Sequence, residues 1–438
     1  MALNLKRIKS IYVKSPAFIR YPLYYLPFEV FCGSSYRTQR RALKQQESRC
    51  DSRRATKRDA LLLDYLNDAI NFIPFYKDWA AESGTQEVTD VDQYFDFPII
   101  GKEEVQADLD SFLDPRFARS RYLVSTGGST GKQFSFFLEN ECYSREWAFV
   151  AHFLAENGID VNRKRISLRG VDSNDQNRAI EYNPLYKELL VSPLKMSEAV
   201  IVDSFDEIQR FNARWLHGYP SSVYEFAKTL KTTNRQLRGI SGILLVSEKL
   251  YDFQKELIEE VFSCKPISFY GMTERLVFAP LVDGSFIPHP LYGVCEAIDG
   301  ELVATGFLNR ATRLIRYRTG DAAENVNPDE RFLTSFGEIS GRWGKEFLEG
   351  KSGSRIYMTA LNTHSSVLEH VKRFQFYQNT PGTCELRLVP DQGFEEKDKR
   401  LIRSLFQKKV GNDLDLDVVT TSSLGLTPRG KHQFIVKE

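Results

Sequence analysis

Two spacings of apolar residues alternate along the chain and predict its helices and strands. Leu61–Phe72 carries apolar residues at every third or fourth position, and Pro74 follows where the pattern stops, so a helix is predicted there. Phe205–Leu216 shows the same spacing through Trp215, which predicts another helix. Capping boxes are predicted at two helix starts, Ser204 with Glu207 and Ser222 with Glu225.

A strand, a helix and a strand follow one another in the middle of the chain. Gly242–Ser247 is a continuous apolar run, Leu250–Val261 has helical spacing, and Pro266–Gly271 returns to a strand pattern. This order predicts a βαβ unit, and its repetition along the chain predicts an α/β domain. From Gly300 onward, short alternating runs predict the hairpins of a β-rich subdomain.

The carboxy-terminal part of the chain has an order of its own. Helices are predicted over Ser365–Phe374 and Glu395–Val410, with strands in "CELRLVP", "LDLDVVT" and "HQFIV". This is the pattern of a small α+β domain. It follows a stretch rich in glycine and charge that begins at Gly341 and indicates an interdomain hinge. We therefore predict an N-terminal domain over residues 1–342 and a small mobile C-terminal domain over residues 343–438.

Composition and charge narrow the class of protein. The 438 residues are 42% hydrophobic and 27% charged, which is ordinary for a globular chain of more than one domain. The net charge of +1 argues against a dedicated nucleic-acid binder. Residues 1–58 nevertheless hold fourteen Lys/Arg against three Asp/Glu. Two interpretations of this basic arm stay open: peripheral contact with an anionic membrane or phosphorylated partner, and a solvated, partly helical surface.

The amino-terminal region and the cysteines predict a cytoplasmic chain. The first apolar patch, residues 21–31, contains two prolines and a glutamate and is too short to cross a bilayer, and no signal peptide is recognisable. The six cysteines are far apart and form no CxxC pair. We therefore expect reduced thiols, with neither a disulfide framework nor a zinc knuckle.

A stretch rich in glycine and hydroxyl residues, "STGGSTGK", joins two runs that alternate like strands. Backbone N–H groups and a lysine in such a loop can surround a phosphate. The stretch is not a Walker A motif, because Thr126 stands where that motif has glycine and Gln133 follows the lysine where it has a hydroxyl. We predict a phosphate-binding hairpin formed by Ser125, Thr126, Gly127, Gly128, Ser129, Thr130, Gly131 and Lys132.

Four further motifs follow this hairpin in a fixed order: "FYGMTE" at Phe269–Glu274, "RYRTGD" at Arg316–Asp321, "GR" at Gly341–Arg342 and "TPRGK" at Thr427–Lys431. Together the five resemble the signatures of the adenylate-forming superfamily of acyl-CoA synthetases, adenylation domains and luciferases. The resemblance implies an α/β fold. A large adenylate-forming N-terminal domain with βαβ layers and a β-rich subdomain would carry a small mobile α+β C-terminal domain.

The resemblance also implies which residues bind ATP. Lys132 and its loop would hold the β- and γ-phosphates, and Tyr270 would cover adenine, beside Gly271 and Met272 of the same motif. Thr273 would approach the α-phosphate, and Glu274 would hold Mg²⁺, for which a carboxylate is a natural ligand.

Other motifs imply the ribose contacts and the hinge. Asp321 would accept hydrogen bonds from both ribose hydroxyls, and Arg342 would meet the ribose at the domain boundary. Gly344 would serve as the hinge, because glycine has the backbone freedom that a hinge requires. Lys431 would bridge the substrate carboxylate, the ribose and the α-phosphate. Where the family usually has "GGE" beside adenine, this chain has "VSE". The resemblance therefore assigns Ser247 and Glu248, by their position in this motif, to the ATP site.

A closer likeness is to the phenylacetate-CoA ligase branch, and within it to CapK-like proteins and coenzyme F390 synthetases. It rests on "NFIPFYKDW", "FPIIGKEEV", "SLRG" and "HGYPSSVYEFA". It implies an ATP-dependent ligase that forms an acyl-adenylate from a small carboxylic acid and transfers the acyl group to CoA, an amine or a hydroxyl. Because CapK-like proteins are associated with capsular and exopolysaccharide biosynthesis, a sugar-linked acceptor is one expectation.

Two other functions stay open from the sequence. A protein that resembles F390 synthetases would transfer AMP itself to an acceptor hydroxyl. A non-catalytic assembly protein would keep the nucleotide fold and dock through the basic arm. Retention of Lys132, Glu274, Asp321 and Lys431 together argues against the non-catalytic alternative.

Relatives bind the carboxylic acid near one predicted helix and the "HGYP" turn. The side chains that this chain has at those places are Trp147, Phe149, His152, His217, Tyr219 and Pro220. Two interpretations stay open for them. They line the acid pocket, with His217 as a base for the acceptor, or they are aromatic core residues and structural histidines.

Overall fold

The protein is described from a computed structural model. The structure describes residues 25, 27–47, 51–125, 134–169, 178–193, 195–328, 331–337, 339–340, 347–351, 353, 355–357, 368, 370–426 and 432–437. The chain divides into two compact units. Unit 1 comprises residues 1–162, 184–186 and 268–339, and unit 2 comprises residues 163–183, 187–267 and 340–438. The predicted domain boundary after residue 342 lies outside the described residues and stays a prediction.

The helices and strands are numbered here in chain order. The helices are α1 (Phe28–Glu47), α2 (Asp51–Phe72), α3 (Pro74–Ser83), α4 (Lys102–Ala107), α5 (Cys142–Glu156), α6 (Glu198–Asp203), α7 (Phe205–Phe211), α8 (Pro220–Thr232), α9 (Asp252–Phe262) and α10 (Glu396–Val410). The strands up to the middle of the chain are β1 (Arg121–Ser125), β2 (Ser135–Glu139), β3 (Arg165–Leu168), β4 (Ile180–Asn183), β5 (Glu188–Val191), β6 (Trp215–Gly218), β7 (Gly242–Leu245) and β8 (Pro266–Gly271).

The remaining strands are shorter on average and mostly antiparallel. They are β9 (Phe278–Val282), β10 (Ser285–Phe286), β11 (Gly293–Ile298), β12 (Glu301–Gly306), β13 (Tyr317–Ala323), β14 (Asn327–Pro328), β15 (Leu333–Ser335), β16 (Ile339–Ser340), β17 (Phe347–Glu349), β18 (Arg355–Tyr357), β19 (Val371–Gln378), β20 (Thr383–Pro390), β21 (Asp415–Thr420) and β22 (Ile435–Lys437). None of the helices within the described ranges is long and apolar enough to cross a membrane.

Unit 1 combines helices with antiparallel strands. The predicted helix over Leu61–Phe72 is confirmed as the second half of α2, and Pro74 then begins α3. The strand pattern on both sides of "STGGSTGK" is confirmed as the antiparallel pair β1 and β2, in which Ser125 faces Ser135 with their hydroxyl oxygens 2.8 Å apart. The predicted β-rich subdomain is confirmed as the antiparallel strands β11, β12 and β13.

Unit 2 contains a parallel sheet and a smaller mixed sheet. In the first, β7, β6, β3 and β5 are parallel neighbours, and β4 closes the edge in the antiparallel direction. In the second, the order is β21, β20, β19, β22, with α10 contributing the buried Ile402 and Phe406 to its core. Tyr251, which precedes α9, belongs to that same core. The predicted strands and helix of the small α+β domain are thus confirmed from residue 383 onward.

Two predicted helices are wrong at their C-terminal ends. Phe205–Phe211 is helical, but Asn212 adopts a left-handed φ of 56° that ends the helix, so Trp215 begins β6 instead of extending α7. The predicted helix over Ser365–Phe374 ends as a strand, because residues from 371 onward pair with β20. Further along the same strand, Phe376–Gln378 also pairs with β22.

Neither predicted capping box forms. Ser204 precedes α7 but makes no capping hydrogen bond from its side chain. Helix α8 begins at Pro220, so Ser222 and Glu225 lie inside it. Proline is well suited to the first helical position, since its missing N–H would have no partner within the helix.

Candidate active site

A hydrogen bond between Tyr270 and Asp321 joins the second and third motifs within unit 1. Tyr270 lies near the end of β8, and Asp321 lies in β13. The tyrosine hydroxyl donates to Oδ2 of Asp321 at 2.6 Å. The ring of Tyr270 packs edge-on against Phe286 and Phe336, with centroids 6.2 and 5.9 Å away. Tyr270, to which the sequence assigns an adenine contact, therefore also orients a carboxylate.

The surroundings of Tyr270 keep its hydroxyl protonated. Burial raises the pKa of Tyr270 well above its usual value, and the carboxylates of Asp321 and Glu274 raise it further. The hydroxyl therefore acts as a donor to Asp321 at any physiological pH.

The backbone on both sides of Asp321 is also fixed by side-chain oxygens. The N–H of Asp321 donates to the Thr319 hydroxyl at 3.1 Å, and that hydroxyl donates to the carbonyl of Leu302 at 2.8 Å. The N–H of Gly320 donates to the Glu301 carboxylate at 2.8 Å. Glycine suits position 320 because its φ is +76°, which is in the left-handed region. The carboxylate that would accept the ribose hydroxyls is thus presented by a well-held segment of β13.

Arg316, at the start of the "RYRTGD" motif, is a buried structural residue. Its guanidinium makes two hydrogen bonds to Glu296 of β11, at 3.1 and 2.9 Å. It also donates to the carbonyls of Phe95 and Phe97, at 2.6 and 2.9 Å. Arg316 is 9% exposed and Glu296 7%. This arginine therefore links β13 to β11 and to the chain before α4, a function that the motif alone does not reveal.

The turn that carries Thr273 and Glu274 lies directly on β12. Thr273 is partly exposed, whereas Glu274 is 3% exposed. A Cβ atom at Gly306 would lie 2.2 Å from the carbonyl oxygen of Arg275 and 2.6 Å from the Cα of Leu276. Only glycine permits this approach, so Gly306 sets the position of the turn. Within the same motif, Gly271 is exposed and Met272 is partly exposed.

A buried ion pair anchors the residue after Glu274. Arg275 has a left-handed φ of 63°, its N–H donates to the carbonyl of Met272 at 3.2 Å, and its guanidinium pairs with Glu146 of α5. Burial raises the pKa of Glu146, and the guanidinium of Arg275 counteracts this shift. Sequence reasoning missed this pair, because 129 residues separate its members.

The residues present fit a magnesium ion that is shared with a nucleotide. The described ranges contain no cluster of three or more His, Cys, Asp or Glu that would hold a metal on its own. One buried carboxylate, Glu274, lies in the turn after Tyr270. Mg²⁺ commonly binds one or two carboxylates together with substrate phosphates and water, and a single carboxylate suits that arrangement.

Ser247 and Glu248 follow β7 in unit 2. Ser247 is exposed and has a φ of 68°, so it occupies a conformation that favours glycine, the residue that the family pattern has there. Oε2 of Glu248 accepts a hydrogen bond from the N–H of Ser221 at 3.0 Å. Glu248 thereby satisfies an N–H group in the first turn of α8, a structural contact in addition to the nucleotide contact that the sequence assigns.

His217 lies on β6 in a basic and buried environment within unit 2. Its ring stacks against Trp215 with centroids 5.8 Å apart. Burial lowers the pKa of His217 well below its usual value, and the nearby Arg169 and Arg165 lower it further, so the imidazole is neutral. Tyr219 is the residue before α8, and Pro220 is its first residue. The burial and the basic neighbours of His217 are those of a structural histidine.

Trp147, Phe149 and His152 share the buried part of α5 in unit 1. Trp147 packs on Phe28 with centroids 5.2 Å apart, and Phe149 contacts the rings of Phe278, His289 and Tyr292 at 4.9 to 5.9 Å. His152 lies 3.6 Å from Glu156 one turn later. Packing within unit 1 accounts for the burial of these side chains without a ligand, and their assignment to an acid pocket stays a prediction.

Several of the predicted site residues lie outside the described ranges. They are Thr126, Gly127, Gly128, Ser129, Thr130, Gly131 and Lys132 of the hairpin, with Arg342, Gly344 and Lys431. Their assignments rest on the sequence.

Comparisons with known proteins agree on one group of relatives. Residues 348–438 match the family model of the CapK C-terminal domain. "Protein CapK" of Staphylococcus aureus is 25% identical over 361 residues, which cover 77% of this chain and 79% of that protein. The chain is thus similar to CapK, both in its C-terminal segment and over most of its length. The matched C-terminal segment includes the small mixed sheet of unit 2.

Comparison with solved structures shows the fold of this chain. 2-Hydroxyisobutyryl-CoA ligase, in a postadenylation state with R3-HIB-AMP, matches with a TM-score of 0.64 at 15% identity and covers 87% of this chain and 90% of its own. The anthranilate CoA ligase AuaEII, in complex with anthranoyl-AMP, matches with a TM-score of 0.50 at 16% identity and covers 70% of this chain and 64% of its own. This chain therefore has the α/β fold of these ligases, with a separate C-terminal domain.

Proposed function

We propose that this chain is an adenylate-forming ligase that activates a small carboxylic acid with ATP. The carboxylate attacks the α-phosphorus, pyrophosphate leaves, and an acyl-adenylate forms. The observation that carries the proposal is the hydrogen bond from Tyr270 to Asp321, which joins two nucleotide motifs in a fold shared with such ligases. Positioning and charge supply most of the catalysis in displacement at phosphorus, so a site built from such contacts suits this chemistry.

Each proposed site residue contacts a particular part of ATP. Lys132 and the hydroxyls of its hairpin hold the leaving phosphates, and Thr273 and Lys431 stabilise the charge that develops around the α-phosphorus. Asp321 and Arg342 hold the ribose. Mg²⁺, when bound with the phosphates at Glu274, neutralises their charge. The small C-terminal domain, which begins near residue 343, turns about Gly344 between adenylation and transfer.

The proposed acceptor of the acyl group is CoA, an amine or a hydroxyl. The similarity to 2-hydroxyisobutyryl-CoA ligase supports CoA as the acceptor. The resemblance to CapK-like proteins, which are associated with capsular and exopolysaccharide biosynthesis, adds a sugar-linked acceptor. We further propose that the basic arm, residues 1–58, brings the chain to an anionic surface, because it concentrates positive charge in an otherwise acidic chain.

The test is an assay of pyrophosphate, AMP and hydroxamate over a panel of small carboxylic acids. An acid that is a substrate should give pyrophosphate and AMP, and added hydroxylamine should trap its acyl group as a hydroxamate. Hydroxamate formation should require ATP and Mg²⁺. If no acid gives a hydroxamate and AMP is instead retained on an acceptor hydroxyl, the chain transfers AMP and the proposal is wrong.

We expect Asp321→Asn to raise the KM for ATP by about tenfold, because hydrogen bonds to a charged group contribute about 1.5 kcal/mol or more. Tyr270→Phe should raise it less, since the carboxylate remains but loses one donor. Initial rates of pyrophosphate release against ATP concentration would measure both effects. Asp299→Asn is the matched control. The side chain of Asp299 is 83% exposed and lies 3.5 Å from Arg318, which belongs to β13 as Asp321 does. A KM for Asp321→Asn equal to that of this control would contradict the ribose assignment.

A further inference from the structure

A cavity of about 470 Å³ lies within unit 2, between α8, α9 and β19. Cavities of this size hold small organic ligands in many proteins. None of the ATP-site residues that the structure describes lines it. Its wall also includes Leu426 and His432, the residues on either side of residues 427–431.

Three phenyl rings form the apolar part of the cavity wall. Phe253 comes from α9, Phe374 from β19, and Phe434 precedes β22. Their centroids lie between 5.2 and 6.3 Å from one another, so the rings form one continuous aromatic surface. Such a surface suits a flat aromatic or branched aliphatic group.

Positive charge dominates the polar part of the wall. Four basic side chains and one acidic side chain belong to the lining residues that the structure describes. Three of the basic groups have acidic neighbours: Lys231 lies 2.7 Å from Glu260, Lys228 lies 3.4 Å from Asp391, and Arg373 lies 3.5 Å from Glu225. The fourth, Lys372, lies near enough to Glu225 to lower the pKa of that carboxyl, but no ion pair of Lys372 within 4 Å forms in the described ranges. An anionic ligand would complement this surplus of positive charge.

His432 supplies a buried hydrogen-bond acceptor. Its Nε2 lies 3.0 Å from the carbonyl oxygen of Phe374, and because a carbonyl only accepts, Nε2 carries the proton. Nδ1 therefore has the lone pair, and it is buried with no hydrogen-bond partner in the described part of the chain. Burial and the nearby Arg373 lower the pKa of His432 to about 4, so the imidazole is neutral near pH 7. A ligand with an N–H or O–H group would satisfy this nitrogen.

We propose that the cavity binds a small organic anion with an aromatic or branched aliphatic body and a hydrogen-bond donor, and that its occupation controls adenylation. The control rests on the proposed function of Lys431. Because Leu426 and His432 lie on either side of residues 427–431, a ligand that contacts both restrains the two ends of the segment that carries this lysine.

The binding test uses two fluorescent probes on the full chain. 1-Anilinonaphthalene-8-sulfonate has the aromatic body, the N–H group and the negative charge, and N-phenyl-1-naphthylamine is its uncharged counterpart. We expect saturable binding of the sulfonate at one site, at least about fivefold tighter than binding of the neutral probe at low ionic strength. High salt should weaken only the charged probe, since salt screens ionic attraction.

Variants localise the probe. Lys372→Met should weaken sulfonate binding about fivefold, the size of a partly exposed ionic contact, and leave the neutral probe unaffected. Lys255→Met is the control, because this exposed lysine lies on α9 but does not line the cavity. Leu257→Trp should fill the cavity and abolish binding of both probes. Should the tryptophan variant fail to fold, Lys372→Met still decides the outcome. Equal affinity for the two probes, or an unchanged affinity in Lys372→Met, would overturn the proposed site.

Control of adenylation has its own readouts. The sulfonate should slow amide hydrogen exchange in residues 421–426 and 432–437, and it should change the rate of pyrophosphate release in the parent protein more than in Lys372→Met. If the sulfonate binds but changes neither hydrogen exchange nor pyrophosphate release, the cavity is a binding site that does not regulate adenylation. Absence of pyrophosphate release with every acid, measured without any probe, would instead refute the proposed function and leave the binding result intact.

Discussion

Lys431→Ala is expected to lower the rate of acyl-adenylate formation by about 10²-fold to 10³-fold, the usual loss when one preorganised donor to a developing negative charge is removed. Transfer of the acyl group from a preformed acyl-adenylate should stay nearly unchanged, because the lysine is proposed to contact the α-phosphate only during adenylation. The measurement is a pair of single-turnover experiments. One starts from ATP and the acid, and the other starts from the isolated acyl-adenylate and the acceptor.

Lys397→Ala is the control for this experiment. Lys397 is an exposed lysine in the first turn of α10, and its side chain is 68% exposed. It should leave both steps unaffected. Equal losses in the two steps for Lys431→Ala would contradict the assignment of Lys431 to adenylation alone, and with it the proposal that the C-terminal domain changes position between the steps.

Local pattern was sufficient for most helices and strands. The antiparallel pair around the glycine-rich hairpin, the strand and helix before Pro266, and the strands after residue 383 all follow from the apolar pattern of their own residues. Trp215 shows the limit of this reasoning. Its spacing fits the preceding helix, but the left-handed Asn212 ends that helix first, and tertiary packing places the indole in β6.

In one segment, the secondary structure depends on the strands with which it pairs and not on its local sequence. The local pattern of Val371–Phe374 predicts a helix, but the segment is a strand because it pairs with β20, and the strand continues into Phe376–Gln378, which also pairs with β22. Both partners come later in the chain, so the local sequence contains no sign of them. The predicted helix failed for this reason.

The motifs identified candidate residues, but not the contacts between them. Tyr270 and Asp321 are 51 residues apart, and only the fold brings the hydroxyl to the carboxylate. Gly306 belongs to no recognised motif, yet its missing side chain lets β12 support the turn after Glu274. The glycine in the predicted strand was the sequence signal for this contact, since glycines in strands often mark a close approach of another backbone.

Arg316 shows that a motif residue can serve the fold instead of the substrate. Its guanidinium bonds to Glu296 and to the carbonyls of Phe95 and Phe97, so the start of β13 depends on it. We expect Arg316→Met to lower the free energy of unfolding of unit 1 by about 3 to 5 kcal/mol, because the substitution leaves the buried Glu296 carboxylate without its partner. Hydrogen exchange of the β11 to β13 amides would measure the loss in that unit directly.

Arg318→Met provides the matched control, two residues after Arg316 and within β13. Arg318 also pairs with a glutamate, Glu301, at 2.8 Å, but its side chain is 37% exposed, so its loss should cost no more than about 1 kcal/mol. The double variant Glu296→Leu with Arg316→Met should recover part of the stability, because no buried charge then remains unpaired. Equal effects of Arg316→Met and Arg318→Met, or no recovery in the double variant, would show that burial of the Arg316 pair does not stabilise this part of the fold.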